Sequence, residues 1–136
     1  MKTFVMDCSV TMAWCFKDEE DPYAEGVLRL LENAEAVVPT VWALEVMNVL
    51  LTAERKGRLL PAESEKFIGL LGLLPITIDA ASGISGRVMD LGRAHGLSAY
   101  DAAYVELALR RGLPMATKYE AIRRALATLG VPLLSP

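Results

Sequence analysis

The chain has 136 residues, of which 53% are hydrophobic and 23% are charged, and its formal net charge is −3. This length fits one domain, here expected to span residues 1–136, with a core that needs no disulfides. The composition excludes an intrinsically disordered chain. The acidic charge argues against a protein that holds long stretches of nucleic acid through phosphates, because such proteins are usually basic. The apolar fraction is high for a small domain, so we expect an exposed interface for a homodimer or a partner protein.

Any contact with nucleic acid is therefore expected to be local. Three short basic clusters are candidates for it, at residues 55–58, 110–111 and 123–124. Each cluster lies near the end of a predicted helix or on its outer face. Basic residues in such places are also typical of a solvated helix face that complements the helix dipole, and this alternative stays open.

The cysteines and the N-terminus bear on the cellular compartment. If Cys8 and Cys15 lie on one helix, they are seven residues and about 10 Å apart, which is too far for a disulfide. A zinc site is not expected, because CxxC spacing is absent and His95 is the only histidine. Asp7 interrupts the first apolar run before a signal-peptide core could form, and residues 68–78 are too few to span a bilayer. We therefore expect a cytoplasmic protein without a membrane segment.

Predicted strands and helices alternate along the chain. Short apolar runs predict strands at residues 3–6, 36–38, 76–78, 114–116 and 131–133. Helices are predicted at residues 10–14, 22–31, 40–56, 61–74, 79–95, 98–111 and 118–129, bounded by proline, glycine and polar caps, with Asp79 as the cap of the helix at 79–95. Continuously apolar strands separated by helices are typical of a parallel sheet that is covered on both faces. We therefore predict an α/β fold, a three-layer α/β/α sandwich with a five-stranded parallel sheet.

In such a sheet the functional site lies just beyond the carboxyl ends of the strands. Asp7 follows the first predicted strand, Asp79 the third, and residues 117–119 the fourth. The starts of two predicted helices, which carry Glu45 and Asp101, point toward the same edge. These residues form the candidate set for the site.

Glu45 is the most informative of these carboxylates. Its predicted helix is apolar around most of its circumference, and Glu45, Asn48 and Thr52 form one narrow polar stripe by their spacing. A carboxylate among such neighbours is costly to bury unless it is paired or bound to a metal. A stripe that simply faces solvent is the alternative.

Asp7 and Asp101 each have a structural alternative with a definite mechanism. Asp7 is well placed to cap the helix that follows it, a common role for aspartate. Ser98 and Asp101 have the spacing of a capping box, although glutamate or glutamine is usual at the second position. Against this, the small Ala102 and Ala103 allow close packing that would hold the Asp101 carboxylate in place.

The three carboxylates together favour a metal. Clustered carboxylates repel one another unless a cation neutralises them, and oxygen ligands without histidine or cysteine suit Mg²⁺ or Mn²⁺. Such a metal polarises a phosphodiester and generates hydroxide from bound water near neutral pH. We therefore predict that Asp7, Glu45 and Asp101 are metal ligands and catalytic residues for phosphodiester hydrolysis.

Three segments of the sequence resemble the PIN domain and, more narrowly, the VapC-type toxins of toxin–antitoxin pairs. They are FVMDCSV at residues 4–10, VPTVWALEVMNVL at 38–50 and LSAYDAAYVELA at 97–108. The third motif is the most specific. The likeness extends over essentially the whole chain, including the length and the order of its segments.

This resemblance implies a Mg²⁺- or Mn²⁺-dependent endoribonuclease with a five-stranded parallel sheet. Asp7, Glu45 and Asp101 match the acidic residues of the family, and Ser9 matches a small hydroxyl residue near the metal. Members of the family commonly form homodimers. A cognate VapB-type antitoxin blocks the site with a C-terminal segment, which often inserts a basic side chain among the acids.

One departure from the family pattern concerns a fourth acid after the fourth strand. The family usually has Ala-Thr-x-Asp there, whereas residues 116–119 read Ala-Thr-Lys-Tyr. Glu120 is adjacent, but an offset of one residue at a helix start rotates the side chain by ~100°. With Tyr119 in place of the acid, a second metal would be held weakly, so we expect one strong metal site.

Two other functions stay open at this point. A PIN fold that has lost catalysis and serves as a binding or interaction module is the first, motivated by the missing fourth acid. A phosphorylation-receiver domain is the second and more remote, because Asp7, Asp79, Thr117 and Lys118 imitate its residue set. The two predicted helices between the second and third strands argue against the receiver domain.

Overall fold

The structure is a computed structural model, and it describes residues 2–16, 18, 21–81 and 83–136. The strands are β1 (Lys2–Met6), β2 (Ala34–Pro39), β3 (Ile76–Asp79) and β4 (Met115–Ala116). The helices of these ranges are α1 (Cys8–Ala13), α2 (Pro22–Leu30), α3 (Val41–Arg55), α4 (Pro61–Leu71), α5 (Gly86–His95), α6 (Ala99–Arg111) and α7 (Glu120–Leu129). None of them is long and apolar enough to cross a membrane.

The strands form a parallel sheet in the order β3-β2-β1-β4, which confirms the predicted α/β class. The chain moves from β1 through β2 to β3 on one side and then returns to place β4 on the other side of β1. This reversal makes a topological switch point between β1 and β4, where open α/β sheets place their ligand crevice. Asp7 follows β1 and Thr117 follows β4, so both lie at this point.

The predicted fifth strand is reduced to one parallel bridge between Met115 and Leu133. At this bridge the N–H of Met115 donates to the Pro132 carbonyl at 3.0 Å, and the N–H of Leu134 donates to the Met115 carbonyl at 2.8 Å. Pro132 has no N–H group, and this removes a donor that a longer ladder would need. The described sheet therefore has four strands, and the expectation of five was wrong in this detail.

The core lies on both faces of the sheet, as the continuous apolar strands predicted. Phe4 and Met6 face one side, where they belong to the same apolar cluster as Val27 of α2. Val5 faces the other side, in a cluster that includes Val46 of α3, together with residues of α6 and α7. These side chains are almost entirely buried. Burial of each stabilises the fold by roughly 1.5–3 kcal/mol.

Several element boundaries differ from the predicted ones. Helix α1 ends at Ala13, so Cys15 lies beyond it, and both cysteines are free. Helix α4 ends at Leu71 rather than residue 74, and α7 begins at Glu120 rather than residue 118. Helices commonly end at such glycine or proline punctuation, and Gly72 caps α4 directly.

The largest difference concerns Asp79, which was predicted to cap the helix after β3. That helix, α5, begins only at Gly86, after Ser85. Asp79 instead accepts a hydrogen bond from the backbone N–H of Ala81 at 3.0 Å and forms an ion pair with Arg110 at 3.2 Å. Its carboxylate therefore ties the edge of the sheet to α6.

Candidate active site

Asp7 is a charged residue in the interior, with 1% of its surface exposed. Its Oδ1 accepts hydrogen bonds from the Ser9 hydroxyl at 2.5 Å and from the backbone N–H of Val10 at 3.3 Å. Its Oδ2 accepts one from the Thr117 hydroxyl. The bond from Val10 makes Asp7 the N-cap of α1, so the expected capping role is present and does not exclude a second role.

The environment of Asp7 favours its neutral form. The pKa of the carboxyl is raised to about 6, mainly by burial, while the hydrogen bonds from Ser9, Thr117 and Val10 lower it and the charge of Asp101 contributes a smaller rise. Desolvation dominates because the carboxylate has lost its water and gains only neutral donors in exchange. A perturbed carboxyl of this kind is typical of a functional site.

The segment after β4 is tied to α1 across the switch point. The backbone N–H of Lys118 donates to the Ser9 hydroxyl oxygen at 2.9 Å, and the backbone N–H of Tyr119 donates to Thr117 Oγ1 at 3.1 Å. Ser9 and Thr117 in turn donate to the carboxylate of Asp7. Two hydroxyl groups thereby orient the Asp7 carboxylate and the loop beside it.

Glu45 is held by a residue that the sequence analysis did not single out. The hydroxyl of Tyr104 in α6 donates to Glu45 Oε1 at 2.5 Å. Tyr104 itself is buried. Asn48, which shares the predicted polar stripe, is exposed, so the stripe divides into an inward carboxylate and an outward amide. No local signal in the sequence indicates Tyr104, because its partner is 59 residues away.

Asp101 lies in the first turn of α6. Its backbone N–H donates to the Ser98 hydroxyl oxygen at 3.1 Å, so the predicted cap is present. Partial burial raises the pKa of the Asp101 carboxyl, and Ser98 also acts on this carboxyl through a side-chain hydrogen bond that lowers its pKa.

The electrostatics of the three carboxylates are linked. Burial is the main cause of the raised pKa of Asp7 and of Glu45, and the charge of Asp101 also raises the pKa of both. The three groups come from the end of β1, from α3 and from α6, yet they share one electrostatic environment. The donor chemistry fits a divalent cation, since three oxygen ligands with unfavourable mutual charge are what Mg²⁺ and Mn²⁺ bind. Among the described residues, no three acidic, histidine or cysteine side chains already stand in metal-coordinating positions.

Tyr119 occupies the position after β4 where the family pattern has a fourth acid. It is the N-cap residue of α7, and 48% of its surface is exposed. Burial and then the charges of Asp7, Cys8, Asp101 and Glu45 raise the pKa of its hydroxyl to about 12. The phenol therefore lies within electrostatic range of these carboxylates. Glu120, the expected substitute, is exposed, and its role stays a prediction.

Asp79 and Lys118 are not part of this arrangement. Asp79 ends β3, two strands away from β1 and so roughly 10 Å distant across the sheet. Arg110 lowers the pKa of its carboxyl through a side-chain hydrogen bond. Lys118 Nζ lies 2.9 Å from Asp21 Oδ2. The residue set of a phosphorylation-receiver domain is therefore not assembled, and that alternative was wrong.

The basic clusters contribute side chains to internal contacts. Arg58 stacks over the Phe16 ring at 4.2 Å, and Arg111 lies 3.5 Å from Asp79. Arg123 donates to the Thr117 carbonyl at 2.9 Å. Each cluster thus has a member with a structural role, as the alternative interpretation of these clusters allowed.

Comparison with known proteins agrees with the geometry. The PIN domain family matches residues 4–126. PAE2754 from Pyrobaculum aerophilum is similar in structure at 17% identity, with a TM-score of 0.67 over 91% of this chain and 84% of that one. A toxin–antitoxin complex from Klebsiella pneumoniae gives 18% identity and a TM-score of 0.63, over 98% and 97% of the two chains. VapBC2 from Rickettsia felis, bound to a promoter DNA fragment, gives 11% identity and a TM-score of 0.64, over 97% of each of the two chains.

No curated protein matches the sequence itself. At these identities the solved structures show a shared fold, while the family match covers nearly the whole chain. Asp7, Glu45 and Asp101 all lie within the matched region. The chain belongs to the PIN domain family.

Proposed function

We propose that this protein is a metal-dependent endoribonuclease that hydrolyses RNA phosphodiester bonds. The observation that carries the proposal is the buried carboxylate of Asp7 at the switch point of a PIN fold, and the charge of Asp101, which raises the pKa of both Asp7 and Glu45, supports it. The carboxyl pKa values of Asp7, Glu45 and Asp101 are raised by burial and, at Asp7 and Glu45, by a neighbouring negative charge. A bound divalent cation would relieve this repulsion.

Asp7, Glu45 and Asp101 would hold Mg²⁺ or Mn²⁺. Such a cation supplies a Lewis acid for the phosphodiester and lowers the pKa of bound water. The chain's own contribution is orientation: Ser9 and Thr117 direct the Asp7 carboxylate, and Tyr104 directs that of Glu45. Asp7 Oδ1 already accepts two hydrogen bonds, whereas Asp7 Oδ2 and Glu45 Oε1 each accept one. Each of the latter two oxygens therefore keeps a lone pair that a metal could use.

The proposal extends to a biological role. Structural relatives from two bacteria occur in toxin–antitoxin or VapBC assemblies, and we infer that this chain is a VapC-type toxin, cytoplasmic, homodimeric and inhibited by a VapB-type antitoxin. Exposed apolar surface supports a protein partner. An apolar groove of about 290 Å³ lies between α3, α4 and β3, lined by residues such as Trp42, Ile68 and Ile78. Leu73 nearby is 82% exposed.

Cleavage of RNA with Mg²⁺ or Mn²⁺ tests the proposal directly. We expect the wild type to cleave, EDTA to abolish cleavage, and Asp7→Asn or Asp101→Asn to lower the rate by at least ~10²-fold. Asp90→Asn is the matched control, since its exposed carboxylate pairs only with Arg93 in the described part of the chain. Equal cleavage by the wild type and Asp101→Asn would contradict the proposed role of the carboxylates.

A second candidate is a PIN-fold binding module with weakened catalysis. Two observations favour it: Tyr119 stands in place of the usual fourth acid, and no three acidic, histidine or cysteine side chains among the described residues are ready to coordinate a metal. Expression in bacteria separates the two functions. If the wild type and Asp101→Asn inhibit growth to the same extent, a binding function explains the effect better than nuclease action.

A further inference from the structure

The hydroxyl of Tyr119 differs from those of the other site and core tyrosines. Tyr104 donates its hydroxyl proton to Glu45, and Tyr23 donates its proton to the Leu134 carbonyl at 2.9 Å. Tyr119 is half-exposed within electrostatic range of the carboxylates, and its hydroxyl forms no hydrogen bond with the described residues. A donor with solvent access and no internal partner is available to a ligand.

The backbone of Tyr119 is held firmly in place. Its N–H donates to Thr117 Oγ1 at 3.1 Å, and its carbonyl accepts from the N–H of Arg123 at 3.0 Å in the first turn of α7. Thr117 is fully buried and donates to Asp7. Two hydrogen bonds in sequence therefore connect the Tyr119 backbone to the buried carboxylate, and the ring extends from a rigid segment.

The cations closest to Tyr119 in sequence have other partners. Lys118 Nζ pairs with Asp21 Oδ2 at 2.9 Å. Arg123 donates to the Thr117 carbonyl and lies over the Tyr23 ring at 4.9 Å. The carboxylates of the site only accept hydrogen bonds when ionised. An RNA phosphate that reaches this site therefore meets few free donors, and the Tyr119 hydroxyl is one of them.

We propose that the Tyr119 hydroxyl donates a hydrogen bond to a non-bridging oxygen of the RNA phosphate at the site, which makes Tyr119 a substrate-positioning residue. This inference rests on the proposed ribonuclease function. A phenol in place of a fourth acid also removes one negative charge from a site that must admit a polyanion. It exchanges a cation ligand for a contact with the substrate.

RNA binding and cleavage by Tyr119→Phe test the inference. Binding is measured by fluorescence anisotropy of a short labelled single-stranded RNA in EDTA, over a series of salt concentrations. We expect Tyr119→Phe to weaken binding about 10-fold, as for a lost hydrogen bond to a charged group. The salt dependence should stay unchanged, because a neutral donor releases no counterions. Tyr100→Phe, at an exposed position of α6, is the matched control and should bind as the wild type does.

Cleavage of a randomised RNA pool in Mg²⁺ or Mn²⁺ provides the second measurement. We expect Tyr119→Phe to raise KM and lower kcat/KM roughly 10- to 100-fold while the melting temperature is retained. Tyr119→Asp, which restores the acid, should bind RNA more weakly still. The proposal would be overturned if Tyr119→Phe bound and cleaved RNA as well as the wild type does. It would also be overturned if Tyr119→Asp cleaved RNA faster than the wild type. Failure of the ribonuclease function appears separately, as equal cleavage by the wild type and Asp101→Asn.

Discussion

The buried carboxylate of Asp7 makes a prediction that links stability to function. Asp7→Asn replaces an acid with a neutral amide of nearly the same shape, so the packing around it is retained. The amide oxygen can accept from Ser9 and from the Val10 N–H, and the NH₂ group can donate to Thr117 after its hydroxyl rotates. We therefore expect a folded variant that has lost the charge.

The size of the expected change in the free energy of unfolding follows from the pKa of Asp7. A rise from 3.8 to about 6 makes ionisation of this carboxyl about 3 kcal/mol less favourable in the folded protein than in the unfolded chain. Below pH 3.8 the carboxyl is protonated in both states and has no such effect. Between pH 3.8 and 6 the folded state binds more protons, so the free energy of unfolding falls as pH rises. Above pH 6 the full penalty is present.

Urea denaturation in EDTA at several pH values measures this effect. The difference between Asp7→Asn and the wild type removes the contributions of all other groups. We expect this difference to grow between pH 4 and pH 6.5, and to reach about 1–3 kcal/mol in favour of Asp7→Asn at pH 7.5. The same variant should be inactive on RNA. A difference that is independent of pH, or a variant less stable than the wild type at pH 7.5, would refute the reasoning.

Three further substitutions separate positioning from stability. Tyr104→Phe releases Glu45, so we expect a ~10- to 100-fold lower cleavage rate together with a loss of about 1 kcal/mol in urea denaturation. Thr117→Val removes a donor to Asp7, which should raise the apparent pKa of the acidic limb in the pH–rate profile; an unchanged profile would count against this contact. Asp79→Asn breaks the ion pairs with α6, and since Asp79 has a lowered pKa, the loss should be under about 1 kcal/mol at pH 7 and vanish as pH falls below 3.8. Its cleavage rate should match the wild type.

Local patterns in the sequence were sufficient for the sheet and for the elements that carry the acids. The apolar runs that form β1 to β4 are short and continuous, and glycine or proline separates them from helices, so their type and order could be predicted. The fifth run failed because pairing depends on backbone donors, and Pro132 lacks one. Asp79 failed as a cap because a pair of arginines from α6 competes for its carboxylate.

The contacts that orient the site could not be predicted in the same way. Thr117 and Asp7 are 110 residues apart, and Tyr104 and Glu45 are 59 apart. Such pairs depend on the strand order and on how α3 packs near α6, which no local periodicity encodes. The sequence indicated which carboxylates reach the edge of the sheet. It did not indicate which hydroxyl groups hold them there.

The position of Asp7 explains why a buried charge can persist in this fold. One carboxylate oxygen caps α1 through Val10, and the other receives Thr117 from the loop after β4, so Asp7 joins the two elements at the switch point. Both oxygens accept hydrogen bonds, and asparagine could replace them without the charge if its NH₂ group donates to Thr117 after the hydroxyl rotates. We therefore expect the carboxylate to be less favourable for stability than an amide, and its proposed function to be the reason for the charge. The stability gained by Asp7→Asn measures how much the fold gives up for its proposed metal site.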